Sequence, residues 1–155
     1  AKMNPPLREA VDVEAIKAGI ADGTMDCIAT DHAPHTLTEK DVEFQLAPFG
    51  IVGLETSLAL TIIGLVETGV ITLERAIELM TSAPARILDL KYDKFETGVL
   101  REGGYADICI FDPKAEWIVN PNEFHSLSRN TPFAGMKLRG LVKKTIWRGS
   151  VVFES

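Results

Sequence analysis

The stretch DCIATDHAPH at residues 26 to 35 constrains this chain most: a short apolar run stops on an aspartate, followed by two histidines that flank an alanine and a proline. Cys27, Ile28 and Ala29 read as a buried strand within residues 26 to 30, with turn chemistry at its end. A strand ending on a carboxylate places Asp31 where a parallel α/β sheet or barrel presents its catalytic groups. A carboxylate there can bind a metal ion and accept a proton from metal-bound water, and His35 can offer a ring N–H to an anionic substrate. The bland reading stands beside it. An aspartate after a strand also caps the next helix, and a loop histidine also serves as a solvated or hydrogen-bonded side chain.

The rest of the chain divides near Leu90. Residues 9 to 22 carry Val13, Ile16, Lys17 and Ile20 at helical spacing and stop at Gly23, which predicts a helix with a C-terminal glycine. After the 26–30 strand a polar loop runs through Pro48. Helices are then predicted over 53 to 67 and 72 to 80, the second opened at Thr72 by half a capping box. Pro84 opens another helical turn through Leu88. Beyond Leu90 the pattern changes to period-two alternation punctuated by glycine and proline, which predicts strands and turns. The fold class is therefore α/β.

Composition narrows the function classes. The longest apolar stretch, LALTIIGLV at 58 to 66, contains Gly64 and falls well short of the roughly 18 residues of a membrane span, so no membrane partner is expected. A net charge of −6 argues against nucleic acid, whose binders show a basic patch. Cys27 and Cys109 sit in apolar strand-like contexts and predict two buried free thiols in a reducing, cytoplasmic compartment.

KMNPPLR (2–8), IATDHAPH (28–35), the Glu39-Lys40 pair and APFGIVGLET (47–56) together resemble dihydroorotases of the class I type, members of the amidohydrolase superfamily. GVLREGGYADICIFD (98–112) resembles the strand pair that comes after an amidohydrolase barrel, and NTPFAG (130–135) with TIWRGSVVF (145–153) resembles the end of a dihydroorotase chain. The resemblance implies a (β/α)8 barrel carrying a small β-sandwich. Such a barrel needs about 250 residues, and the chain has 155. It is therefore expected to be a C-terminal portion, with residues 1–90 supplying the last βα elements of the barrel and 91–155 the C-terminal strands of the sandwich. The remaining barrel and the family's other metal ligands are expected in a missing N-terminal part.

The resemblance also implies an activity: zinc-dependent, reversible hydrolysis of dihydroorotate to N-carbamoyl-L-aspartate in pyrimidine biosynthesis, at a binuclear zinc centre. Asp31 matches the aspartate that ends the eighth barrel strand, binds one zinc and shuttles the proton. His35 and Asn4 match positions that hold the carboxylate side of the substrate. Phe49 and Gly50 match a loop whose backbone contacts the ring amide, where the absence of a Cβ at Gly50 permits close approach. Read without the resemblance, Asn4 is equally a turn residue before Pro5 and Pro6. Arg8 either meets substrate or anchors its loop through an acidic partner. His32 is expected to support the metal site or the structure rather than bind metal, Glu39 and Lys40 to form a solvated charge pair, Asp107 to satisfy turn amides, and His125 to lie outside the chemistry. The rival readings are another cyclic amidohydrolase of the hydantoinase or allantoinase type, a non-catalytic dihydroorotase-like partner of aspartate transcarbamoylase, and a folding or assembly module. A homodimer or an association with aspartate transcarbamoylase is the expectation for the intact protein, and the segment alone is expected to be inactive.

Overall fold

The alternating second half of the chain becomes an antiparallel sheet. In the computed structural model, which describes residues 1–92 and 95–155, β3 (Ile108–Ile118), β4 (Lys137–Trp147) and β5 (Ser150–Glu154) lie in the order β3-β4-β5. Arg148 and Gly149 close the β4–β5 hairpin with φ of 49° and 82°, the two-residue turn whose twist suits a hairpin. Asp107 accepts the Arg148 N–H at 2.6 Å, so this carboxylate satisfies a turn amide as expected. Ahead of the sheet, β1 (Lys91–Tyr92) and β2 (Phe95–Glu96) form a short separate ladder. Residues 98 to 107 carry turns and irregular backbone, so only the end of the 98–112 segment is strand.

Pro113 falls inside β3 without breaking it because the pairing is interrupted there. Asp112 pairs with Leu141 and Glu116 with Arg139, and the Asp112 carboxylate accepts the Lys114 and Ala115 N–H groups at 2.8 and 3.2 Å. Proline thus sits where the ladder asks for no donor. Opposite this bulge Gly140 has φ +95°, and a Cβ there would lie 2.5 Å from Ile62 Cδ1.

The first half is helical. α1 (Ala10–Asp22) ends on Gly23 in the left-handed region, and the short α2 (Leu37–Lys40) lies just beyond the Asp31 segment. α3 (Leu54–Thr61) runs directly into a π-helical turn, Ile62–Val66, in which the Glu67 N–H reaches back to the Ile62 carbonyl at 2.9 Å. α4 (Leu73–Met80) has the predicted half box, Thr72 Oγ1 accepting the Arg75 N–H at 3.2 Å. α5 (Ser82–Ile87) begins two residues before Pro84; a first-turn proline lacks only an N–H that has no intrahelical acceptor.

The core joins the halves. Val52 and Ala59 pack with Val119, Phe124 and Leu138, flanked by Leu60, Ile63, Trp117 and Phe133, so α3 lies on the β3–β4 layer. Outside this layer Arg139 ties Glu67, just past the π turn, to Glu116 on β3 at 2.9 and 3.4 Å.

Two expectations need correction. Residues 26 to 30 form no strand among the described residues: a strand needs a paired neighbour, and the Ile28 N–H goes instead to the Leu79 carbonyl at 2.9 Å. The cysteines are free, but Cys27 is only half-buried and Cys109 is exposed on β3. Cys109 lies along an open groove against Leu58 and Ile77, and the partial burial there raises its thiol pKa. The predicted helix α1 forms but has no buried residue, and Val13 and Ile16 are exposed. Among the described residues no helix is long and apolar enough to cross a membrane.

Leu138 is fully buried at the centre of the core. Leu138→Ala is expected to lower unfolding stability by about 2–5 kcal/mol, read from denaturant unfolding. A loss below about 1 kcal/mol would show that the sheet side of this core contributes little.

Candidate active site

Asp31 turns the chain. Its φ of +44° lies in the left-handed region, which aspartate tolerates better than most side chains. The residue is exposed, and its carboxylate has no hydrogen-bond or ionic partner among the described residues. The next residue is committed: His32 Nδ1 accepts the N–H groups of Gly53 and Leu54 at 3.1 and 3.4 Å, capping α3. Its ring proton therefore sits on Nε2, the structural role expected of it.

Two loops then meet. The Ala33 N–H bonds the Ile51 carbonyl at 2.9 Å, and Gly50 crosses so close that a Cβ on it would stand 2.4 Å from Ala33 Cβ. Gly50 also has φ +100° and is buried. Its lack of a side chain is thus required inside the protein, by the crossing of two backbones. Beside it the His35 ring meets the Phe49 carbonyl at 2.8 Å. A carbonyl only accepts, so Nε2 carries the proton and spends it on the protein. Phe49 is half exposed, with Lys2 Nζ 4.6 Å from its ring centroid.

Side chains from two other segments hold this crossing. Asn130 donates to the Ala33 carbonyl at 2.9 Å and the Gly50 carbonyl at 3.4 Å, and accepts the His35 N–H at 3.3 Å. Ser128 donates to the His35 carbonyl at 2.7 Å. Lys2 donates to the carbonyls of Gln45 and Ala47, both at 2.8 Å, while its own carbonyl takes the Gly50 N–H at 2.8 Å. That last bond brings the N-terminal segment to the loop. Asn4 and Arg8 on this segment are exposed, and neither side chain has a partner among the described residues, so Arg8 does not anchor its loop through an acid.

Glu39 and Lys40 are not the charge pair expected. Glu39 closes a capping box: its carboxylate accepts the Thr36 N–H at 2.8 Å and the Thr36 hydroxyl at 2.9 Å, and Thr36 Oγ1 accepts the Glu39 N–H at 3.2 Å. The backbone bond from Thr36, then its hydroxyl, lowers the Glu39 pKa. Lys40 points the other way, to the carbonyls of Pro48 and Gly50. The pattern T-x-x-E at 36 to 39 is a legible signal for the box. His125 is exposed, its N–H and that of Ser126 bound by the Glu55 carboxylate at 2.8 and 3.0 Å.

Asp31 is a suitable single oxygen donor for a metal ion. No group of three His, Cys, Asp or Glu side chains that could hold one occurs among the described residues, so these residues compose no complete metal centre.

The family model for the amidohydrolase family matches residues 4–152, and the chain belongs to that family. Membership implies a metal cofactor. Within the family it is 55% identical to a dihydroorotase of Geotalea daltonii over 98% of its length and 34% of that protein's. It is 52% identical to a dihydroorotase of Citrifermentans bemidjiense over 100% and 35%. Its backbone matches an L-hydantoinase (dihydropyrimidinase) of Arthrobacter aurescens with a TM-score of 0.88 and 33% identity, over 99% of this chain and 34% of that one. The chain thus spans only a part of the proteins it matches.

Gly50→Ala is expected to cost at least about 1 kcal/mol from the left-handed backbone alone, with the Cβ contact adding to it. Faster amide exchange at Ala33, whose bond to Ile51 holds the crossing, is the readout, and unchanged exchange would refute the packing argument. The Glu39 box gives a pH dependence. Its folded pKa is lowered, so its contribution is present above the unfolded carboxylate pKa and is lost as pH falls through the folded one. In Glu39→Gln the acid limb of a stability-against-pH curve is expected to be shallower than in the wild type.

Proposed function

We propose that the chain is the C-terminal part of a zinc-dependent dihydroorotase, which interconverts (S)-dihydroorotate and N-carbamoyl-L-aspartate in the cytoplasm during de novo pyrimidine biosynthesis. The observation that carries this reading is the identity of 55% and 52% to dihydroorotases over essentially the whole chain. Residues 1–90 belong in this reading to the barrel and 91–155 to the small sandwich, the latter returning a loop at 124 to 130 to the Asp31 segment. The uncovered apolar face of α1 would pack against the rest of the barrel.

Bound zinc would lower the pKa of water and polarise the amide carbonyl. Asp31, exposed and free of competing partners among the described residues, is the group assigned to take a proton from the attacking water. It returns that proton to the ring nitrogen as the C–N bond breaks. Asn4, whose amide is uncommitted, and His35 take the carboxylate side of the substrate. With Nε2–H spent on Phe49, His35 offers a second N–H from Nδ1 only as the imidazolium. The backbone at Phe49 and Gly50 meets the ring amide.

The backbone match to a hydantoinase supports a second reading, another cyclic amidohydrolase of the hydantoinase or allantoinase type. A non-catalytic partner of aspartate transcarbamoylase is less favoured, since Asp31 is kept. Association as a homodimer or with that enzyme would belong to the whole protein. In the intact protein, Asp31→Asn is expected to cut turnover in both directions by roughly 10²–10⁴-fold while zinc content falls less. Near-wild-type rates would remove Asp31 from the proton transfer. Hydrolysis of hydantoin with none of dihydroorotate, measured on the unmutated protein, would favour the second reading.

A further inference from the structure

Three successive carbonyls of the 47–50 loop end on two side chains from one short stretch. Phe49 O meets His35 Nε2 at 2.8 Å, while Lys40 Nζ donates to Pro48 O at 2.8 Å and Gly50 O at 3.1 Å. Lys40 is half-buried, and no carboxylate pairs with it among the described residues. An ammonium has three protons and no acceptor, so two of its three are given to this loop. Its root is fixed as well, by the Thr36–Glu39 box and by the Lys40 N–H on the Thr36 carbonyl at 3.1 Å.

The peptide unit between Pro48 and Phe49 is what this geometry controls. In a planar trans peptide the C=O and the following N–H point in opposite directions. Only the Asn4-Pro5 bond is cis among the described residues, so the ammonium on Pro48 O turns the Phe49 N–H away from Lys40. That N–H donates to no described residue, whereas the Gly50 N–H is taken by Lys2. A cation on the carbonyl also polarises the peptide unit and strengthens its free donor. We infer that Lys40 is a positioning residue for the proposed reaction: it aims and strengthens the Phe49 N–H as the hydrogen-bond donor to the substrate's ring amide. The inference rests on the dihydroorotase reading.

The test uses the intact protein with Lys40→Met, similar in shape but without donors, and Lys40→Arg, which keeps charge and donors. Lys40→Met is expected to raise KM for dihydroorotate roughly tenfold, with kcat less affected, and Lys40→Arg to recover most of the loss. The Phe49 amide proton resonance should move in the methionine variant and return in the arginine one, while α1 resonances stay in place. Unchanged KM in Lys40→Met, a loss confined to kcat, or no recovery by arginine overturns the inference. Should the methionine variant not fold, Lys40→Gln, with one shorter neutral donor, is read in the same way, and wild-type KM in it is fatal. If the unmutated protein does not hydrolyse dihydroorotate, the dihydroorotase reading has failed; the Phe49 resonance then decides the geometric part alone, and an unmoved signal sinks it.

Discussion

One side-chain amide joins the two ends of this chain. Asn130 reaches the backbone of His35, Ala33 and Gly50, and its own carbonyl accepts the Val52 N–H at 3.2 Å. An amide can donate twice and accept twice, so a single asparagine satisfies backbone groups on two crossing loops at once. Without it the Ala33 carbonyl and the His35 N–H would lack partners, at a cost of about 1–3 kcal/mol each, while the Gly50 carbonyl would keep Lys40. The crossing it stabilises sets the relation between the segment that ends in Asp31 and the loop that bears Phe49. The return of the chain from β3 to α3, through Val119 and Phe124, brings Asn130 to that place.

The crossing also sorts polar groups by availability. His32, His35 Nε2, Glu39, Lys40 and the Gly50 N–H are all spent on internal bonds. Asp31, Asn4, Arg8 and the Phe49 N–H are not. Buried polar groups need partners, whereas groups that serve a substrate must remain without them until it arrives. The committed set holds the backbone of the loops that bear Asp31 and Phe49.

Much of this is legible in residues close in sequence. Helix stops such as Gly23, the half box at Thr72 and the Arg148-Gly149 hairpin depend on neighbours, and local rules find them. The Thr36–Glu39 box is equally local, yet the adjacent opposite charges of Glu39 and Lys40 point first to an ion pair. The roles of Asn130 and Ser128 are not legible: their side-chain bonds to the crossing span 80 to 97 residues, and no periodicity encodes a partner so distant. Residues 26 to 30 mislead for a different reason. Their composition asks for a strand, but pairing is a property of the neighbour and not of the segment.

The π turn at Ile62–Val66 carries a consequence for register. A wide turn of this kind, bonded i to i+5, ends α3 and carries the chain into the turn at 67 to 69. Removing any one residue from it would wind the turn back to α geometry and rotate the residues beyond it by about 100°. Glu67 would swing off Arg139, and the strut between helix and sheet would be lost although every charged residue survived. The length of this turn thereby sets the register of an ion pair outside it.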